Sequence, residues 1–358
     1  MKGRPVIALD VMGGDGGAPI VIAGAERAKA RDPELLFRLF GREADIRREL
    51  ASAPLVSADA EIVHTDVIVA STDRPTQAIR RARDSSMGLA IADVKEGRSQ
   101  AAVSAGNTGA LMAMAKLSLR TTEGIDRPAL AALLPTLGDN DLVMLDLGAN
   151  TECDSQNLVQ FAVMGAAYAR TVLGVDRPRV RLLNIGEEDL KGTDELKEAA
   201  ALLRDATYLP MRFEGFIEGD KLGRGEADVV VTDGFSGNIA LKTAEGTARL
   251  VTDLLRLSFE SSFRSKLGFL LSRPALRTLR VHLDPNNHNG AVFLGLNGLV
   301  VKSHGGADAN GFANAIGVAA AMVRDDITRR IMQDLDDFRA HARMAREEQM
   351  EAQGQGEG

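Results

Sequence analysis

Glycine clusters combined with small polar residues follow several apolar segments of this chain, and they are the residues best suited to bind an anion. In the first cluster, LDVMGGDGGAP at residues 9–19, an apolar run ends and a proline typical of a helix start follows. Glycines there let backbone N–H groups approach an anion, and the helix N-terminus adds partial positive charge. A tight turn without a ligand is the alternative. The candidate residues are Asp10, Gly13, Gly14, Gly16 and Gly17.

A second cluster, SAGNTGA at residues 104–110, repeats the order of strand, small residues and helix. Ser104, Asn107 and Thr108 are neutral donors that suit a phosphate or an oxyanion. The alternative is a small-residue loop in which Thr108 caps the helix.

Further loops place polar side chains after apolar segments: LDLGAN (145–150), NIGEEDLKG (184–192), TDGFSGNIALKTAEG (232–246) and VVKSHGGAD (300–308). Loops that follow parallel strands meet at the carboxyl edge of a sheet, so we expect the two glycine clusters and the loops at 145–150 and 184–192, four in all, to converge on one cleft. For the loop at 232–246 the alternative is a strand that ends at Asp233 and a helix capped by Ser236. The candidates here are Asn150, Glu187, Lys191, Asp233, Asn238, Lys242 and His304.

Short apolar runs alternate with segments of helical periodicity, which predicts parallel βαβ units with helices on both faces of the sheet. We expect helices at 19–30, 108–119, 156–173 and 236–260, and one from 308 to beyond Arg330. Residues 1–345 form a single catalytic α/β domain in this prediction, and the polar residues 346–358 form a tail without fixed structure.

Composition excludes several classes of protein. With a net charge of −7 over 358 residues, non-specific nucleic-acid binding is not expected. Its one cysteine, Cys153, excludes an intramolecular disulfide and a cysteine-cluster metal site. We expect neither a signal peptide nor a membrane-spanning segment. The motifs of a serine nucleophile elbow and of a zinc-binding helix are missing, so the substrate should bring its own nucleophile and Cys153 should be dispensable.

Seven motifs in this order resemble the bacterial phosphate acyltransferase (PlsX) family, from about Val6 to Arg330. They are ALDVMGGDGGAP, SAGNTGALMA, DLGAN, NIGEEDLKG, FEGFIEGD, TDGFSGNIALKTAEG and GLNGLVVKSHGGAD. The segments at 219–228 and 283–292 hold less usual residues, which bears mainly on substrate preference.

The resemblance implies transfer of a fatty acyl group from acyl carrier protein to inorganic phosphate, which gives acyl phosphate for phospholipid synthesis. It also implies a homodimer, and a doubly wound parallel core similar to phosphotransacetylase and isopropylmalate dehydrogenase. The implied location is the cytoplasm, at the inner face of the cell membrane, beside the membrane glycerol-3-phosphate acyltransferase that consumes acyl phosphate. Neither a metal nor a cofactor is required, because phosphate is a nucleophile and a thioester is a reactive acyl donor.

Resemblance and residues together suggest roles in this reaction. The two glycine loops would hold phosphate, with Asn107 and Asn150 helping. Lys191 and Asn238 would stabilise the transition state, and Asp233 would orient one of them.

Residues 249–285 predict a protruding helical hairpin, broken at Gly268 and Pro274, with an apolar tip and basic flanks. Residues 249–280 carry seven basic and two acidic side chains, a local charge of +5. Acyl carrier protein and anionic lipid headgroups both fit this surface, and a dimer interface is the alternative. The expected contact residues are Arg264, Lys266, Leu267, Phe269, Leu270, Leu271, Arg273 and Arg277.

Two other functions stay open from sequence: a dehydrogenase on a related fold, although the G-x-G-x-x-G fingerprint is missing, and a non-catalytic scaffold that docks acyl carrier protein at a membrane.

Overall fold

The computed structural model describes residues 4–70, 79–81 and 83–354. The strands are β1 (Val6–Asp10), β2 (Leu36–Gly41), β3 (Glu61–His64), β4 (Ala101–Ser104), β5 (Ala129–Leu134), β6 (Leu142–Leu145), β7 (Arg179–Leu183), β8 (Arg212–Ile217), β9 (Val229–Val231), β10 (Ala291–Leu294) and β11 (Leu299–Lys302). The helices are α1 (Gly17–Arg31), α2 (Glu43–Leu50), α3 (Pro54–Ser57), α4 (Ser86–Lys95), α5 (Thr108–Leu119), α6 (Ser155–Val172), α7 (Asp194–Asp205), α8 (Gly234–Glu260), α9 (Phe263–Leu283), α10 (Ala309–Asp325) and α11 (Ile327–Gly354). Gly219–Arg224 form a 3-10 helix.

Helices cover both faces of one mixed sheet, whose order is β3-β2-β1-β4-β11-β10-β5-β6-β9-β7-β8 across the described residues. Side chains alternate between the faces as a pleated strand requires, so Ile7 and Leu9 of β1 enter one core and Ala8 enters the other. The larger core packs against α1, α6 and α10, and the smaller one against α4, α5 and the start of α8. The expected doubly wound α/β core is confirmed.

The sheet is mostly parallel, as expected, but β5 pairs antiparallel with both β6 and β10, and β10 with β11. Only residues 135–141 join β5 to β6, and 295–298 join β10 to β11. Such connections are too short for the crossover that parallel strands need. As a result, β1, β4 and β11 run in one direction, and β6, β7 and β9 run in the opposite one.

The hairpin expected over residues 249–285 is formed by the outer part of α8 and by α9, but it turns at a different place. The turn lies at Ser261 and Ser262, where the Ser262 Oγ accepts the Ser265 N–H at 3.1 Å. Gly268 and Pro274 lie inside α9 and do not interrupt it. This part of α9 is exposed, so water can satisfy the carbonyl that a proline leaves without its helical partner.

Two expectations about the C-terminal region also change. The helix expected from 308 to beyond Arg330 divides at Asp326, which takes a left-handed conformation with φ of 53°. The helix α11 then continues to Gly354, where a tail without fixed structure was expected from residue 346. Ala, Glu, Arg, Gln and Met fill this stretch and all favour helices. Residues 355–358 lie outside the described ones.

Within the described part of the chain, no helix combines the length and the apolar character needed to cross a lipid bilayer.

Candidate active site

Three loops are bound to one another at the edge of the sheet where β1, β4 and β11 end. The Asp15 N–H after β1 donates to the Gly305 carbonyl after β11 at 2.9 Å. The Lys302 Nζ donates to the Ala105 carbonyl after β4 at 3.4 Å. The two glycine clusters expected to bind phosphate therefore lie side by side, together with the turn that carries His304.

A buried carboxylate holds this arrangement together. Asp10 is 1% exposed and accepts the hydroxyls of Ser86 and Ser104, each at 2.6 Å. Burial raises the pKa of Asp10, against the opposing effect of the two serines. Asp10 and Ser104 thus support the loops, and their expected contact with phosphate stays a prediction. Ser86 was not recognised in the sequence, because it opens α4 far from any glycine cluster.

Gly13 lies where only glycine fits. A Cβ at this position would be 2.6 Å from the Asp10 Oδ2 and 2.8 Å from the backbone nitrogen of Gly106. Gly14 has a φ of 81°, which favours glycine. Beyond these glycines α1 begins at Gly17, and no side chain in the described chain caps its N-terminus at Gly16.

Basic side chains gather beside these loops. Burial lowers the pKa of Lys302 to about 8, with a further contribution from the nearby charge of Lys242. Burial and the charge of Lys302 likewise lower the pKa of His304, and Lys242 and Arg249 act in the same direction. The His304 Nδ1 accepts the Gly306 N–H at 3.2 Å. These basic side chains share the site with the carboxyl groups of Asp10, Asp15 and Glu245.

The helix α8 brings further polar residues to this place. Asn238, Lys242, Glu245 and Arg249 follow one another at intervals of four, three and four residues, so they share one face of α8. Lys242 pairs with Glu245 at 2.8 Å. Asn238 lies one turn before Lys242 and contacts the loop after β6, since a Cβ on Gly148 would be 3.6 Å from the Asn238 side chain. The helix thus links the two edges of the sheet.

Asn150 lies at the opposite edge and serves a second buried carboxylate. Asp146, after β6, accepts the Ala149 N–H and both the N–H and the Nδ2 of Asn150 at 2.7–3.0 Å. The Asn150 Nδ2 also donates to the Pro128 carbonyl at 2.8 Å. These bonds commit the amide nitrogen of Asn150 to the loop, and its expected help in holding phosphate stays a prediction.

Two other candidates are helix caps. The Asn107 Oδ1 accepts the Ala110 N–H at 2.9 Å at the start of α5, a role that the sequence assigned to Thr108. The Asp233 Oδ1 accepts the Ser236 N–H at 2.8 Å at the start of α8, a role that the sequence assigned to Ser236. The contacts of Asp233 support a capping role, and its expected orientation of Lys191 or Asn238 stays a prediction.

The loop after β7 carries Lys191 and Glu187 at the same edge as Asn150. The Asn184 Nδ2 donates to the carbonyl of Lys191 at 3.1 Å, which fixes the loop backbone. Glu187 pairs with Lys221 at 2.9 Å, and this hydrogen bond lowers the pKa of its exposed carboxyl group.

The structure therefore divides the loops that were expected to converge. The loops after β1, β4 and β11 lie at one edge, and those after β6, β7 and β9 at the other, because the two halves of the sheet run in opposite directions. A strand of four or five residues separates the edges by about 13–17 Å. In a single chain, one phosphate ion at the glycine loops does not also reach Lys191. Among the described residues, no group of three or more His, Cys, Asp or Glu side chains is placed to hold a metal ion.

Comparison with known proteins identifies the family. Residues 6–330 match the family described as fatty acid synthesis protein. A phosphate acyltransferase of Erythrobacter litoralis is 61% identical over 331 residues, which are 92% of this chain and 93% of that protein. A phosphate acyltransferase of Parvibaculum lavamentivorans is 57% identical over 92% of this chain and 91% of its own length.

The chain belongs to the fatty acid synthesis protein family. Its fold is that of a phosphotransacetylase: the EutD phosphotransacetylase from Staphylococcus aureus superposes with a TM-score of 0.59 at 18% identity, over 89% of this chain and 94% of that one. The resemblance drawn from the seven motifs is confirmed, and so is the expected likeness to phosphotransacetylase.

The buried Asp10 predicts a dependence of stability on pH. Because its pKa is raised in the folded protein, the free energy of unfolding should fall as the pH rises from about 4, the ordinary pKa of Asp, to the raised value. Asp10→Asn lacks this group, so its stability relative to the wild type should increase with pH and then level off. Urea unfolding of both proteins between pH 4 and pH 8 measures the difference. Asp146 is present in both proteins, so its contribution to the pH dependence cancels in the comparison. A difference in the free energy of unfolding that stays constant with pH would contradict the prediction.

Cys153 should be unreactive. Burial raises the pKa of its thiol to about 12, and the charges of Asp146 and Asp233 contribute. Compared with a thiol of the ordinary pKa of 9.0, its thiolate fraction at pH 8 is smaller by on the order of 1,000-fold. Alkylation by iodoacetamide should be slower by about this factor in the native protein than in the same protein in urea, and Cys153→Ser should keep its activity. A rate in the native protein that equals or exceeds the rate in urea would contradict the raised pKa of the thiol.

Proposed function

We propose that this protein transfers a fatty acyl group from acyl carrier protein to inorganic phosphate and releases acyl phosphate for phospholipid synthesis. The observation that carries the proposal is the pair of glycine loops packed side by side and faced by Lys302, Lys242 and His304, which suits a small anion better than a nucleotide. The phosphate acyltransferase names of its close relatives support the reaction class.

The reaction needs positions for three groups. An oxygen of phosphate bonds to the thioester carbonyl carbon, the C–S bond breaks, and the departing thiolate takes up a proton. The cations beside the glycine loops would hold the phosphate. The amide of Asn238, one turn along α8 from Lys242, would donate to the oxygen of the carbonyl as it gains negative charge. No protein nucleophile is needed, in keeping with the raised pKa of Cys153.

The hairpin supports a second part of the proposal, a location at an anionic membrane surface on the cytoplasmic side. Leu270 and Leu271 are 59% and 77% exposed. The basic side chains of Arg264, Lys266, Arg273 and Arg277 are exposed on the same helix. Apolar side chains flanked by basic ones suit the interface of an anionic bilayer. There the product would be released beside the membrane glycerol-3-phosphate acyltransferase that consumes it.

Turnover with acyl carrier protein tests the reaction. Palmitoyl carrier protein, phosphate and this enzyme should yield an acyl phosphate that hydroxylamine traps as a hydroxamate. Asn238→Ala should lower kcat by on the order of 100–1,000-fold, the typical effect of losing one oxyanion donor, while Asn140→Ala, at an exposed loop asparagine, should not. Lys191→Ala should also lower kcat; this expectation comes from the sequence alone.

Three results would contradict the reaction. Phosphate-independent hydrolysis of the thioester would exclude phosphate as the acceptor. Reduction of a nicotinamide cofactor would favour the dehydrogenase, and carrier-protein binding without turnover would favour the scaffold.

Flotation with vesicles tests the membrane location. Leu270→Glu/Leu271→Glu should release the protein from vesicles that contain phosphatidylglycerol, because two buried charges oppose insertion. The matched control is Leu117→Glu/Leu137→Glu, since these leucines are 61% and 75% exposed outside the hairpin. Equal flotation of both variants, or a change of the first from dimer to monomer, would assign the hairpin to another interface.

A further inference from the structure

Lys302 is a largely buried cation that lacks a close negative partner among the described residues. Its ammonium donates to two backbone carbonyls, those of Ala105 and Ser303. Within 4 Å it has no carboxylate in the described chain, although most other buried basic groups there, such as Lys29 and Arg170, have one. Backbone carbonyls satisfy its hydrogen bonds but do not balance its charge.

The charges around Lys302 do not offset the cost of burying its ammonium. Lys242 faces it from α8 and disfavours its charged form, while Asp10 and Asp15 favour it only from a distance beyond an ion pair. The serine hydroxyls already occupy both oxygens of Asp10. An anion between Lys302 and Lys242 would relieve the repulsion and supply the missing counter-charge.

We propose that the Lys302 ammonium binds the attacking phosphate and holds one of its oxygens at the glycine loops. This inference rests on the proposed function and adds a residue that the sequence did not single out as a phosphate ligand. The Ala105 carbonyl fixes the Nζ beside the loop after β4. A phosphate bound there lies between the two glycine clusters and faces Lys242 on α8.

Binding of phosphate through Lys302 should depend on pH. Because the pKa of Lys302 is lowered to about 8, this lysine loses its charge as the pH rises through that value, well before an exposed lysine does. The KM for phosphate should therefore rise above pH 8. Asp10, Asp15, Lys242 and His304 face the same space, and burial raises the pKa of Asp10 and lowers that of His304.

Kinetics with each substrate varied in turn test the assignment. Lys302→Met keeps the aliphatic stem and removes the charge. It should raise the KM for phosphate about 10- to 100-fold, as expected for loss of a charge-assisted contact, and leave the KM for palmitoyl carrier protein within twofold. Lys302→Arg should restore phosphate binding and abolish the rise of KM above pH 8, because arginine stays charged. Lys116→Met, at an exposed lysine of α5, is the matched control.

Binding of inorganic phosphate without an acyl donor separates this inference from the proposed function. Calorimetric titration should detect phosphate binding to the wild type and to Lys116→Met, and weaker binding to Lys302→Met. Unchanged phosphate affinity in a folded Lys302→Met protein would overturn the inference, even if turnover falls. If Lys302→Met does not fold, Lys302→Arg gives the test. A KM for phosphate that still rises above pH 8 in this variant would overturn the inference. A wild type that makes no acyl phosphate would contradict the proposed function instead.

Discussion

The carboxylate of Asp10, buried at the end of β1, is the group on which the geometry of the anion loops depends. Ser86 from α4 and Ser104 from β4 both donate to it, so three segments distant in sequence meet at two oxygen atoms. With the side chain of Asp10 in this position, Gly13 has no room for a Cβ, and Gly106 approaches it closely. A position without side chains is what backbone N–H groups need in order to contact an anion.

Asp146 plays the same role at the opposite edge of the sheet, after β6. Its oxygens bind backbone N–H groups of Leu130, Ala149 and Asn150, and α8 packs so closely that a Cβ on Gly237 would be 1.9 Å from the Asp146 carbonyl oxygen. Burial raises the pKa of Asp146, as it does that of Asp10. Each carboxylate reduces stability when it ionises, yet each fixes a loop, and the loop at Asp10 is one that the proposed reaction uses.

The helix α8 runs from the loop held by Asp146 to the loops held by Asp10, and so connects them in one candidate site. It starts against the Asp146 loop, crosses the smaller core, and reaches the basic residues at the Asp10 edge with its face of Asn238, Lys242, Glu245 and Arg249. Beyond this point α8 and α9 leave the core and pack on each other, with the rings of Phe259 and Phe269 edge-on at 5.4 Å. Apolar side chains so exposed indicate a surface that meets a partner or a membrane. The same helix would therefore connect catalysis to docking.

The family and most elements of the fold follow from sequence, because they depend on local patterns. Alternating apolar and helical segments give the layers, and the bounds of α5 at 108–119 agree with the periodicity. The short connections after β5 and β10 were visible too, and antiparallel pairing could have been inferred from them.

The roles of individual residues could not be predicted in the same way. Asn107, Asn150 and Asp233 are residue types that suit an active site, but the spacing along the chain did not show that their hydrogen bonds fix helix starts and a loop. Lys302 gives no local signal, since its burial and its lack of a close counter-ion arise from three separated loops.

The sequence by itself determined which loops are rich in glycine, where the elements lie and to which family the chain belongs. The tertiary structure decided which loops share an edge, because strand direction reverses within the sheet, and which polar groups are already bonded, because hydrogen bonds between distant segments do not follow from spacing along the chain.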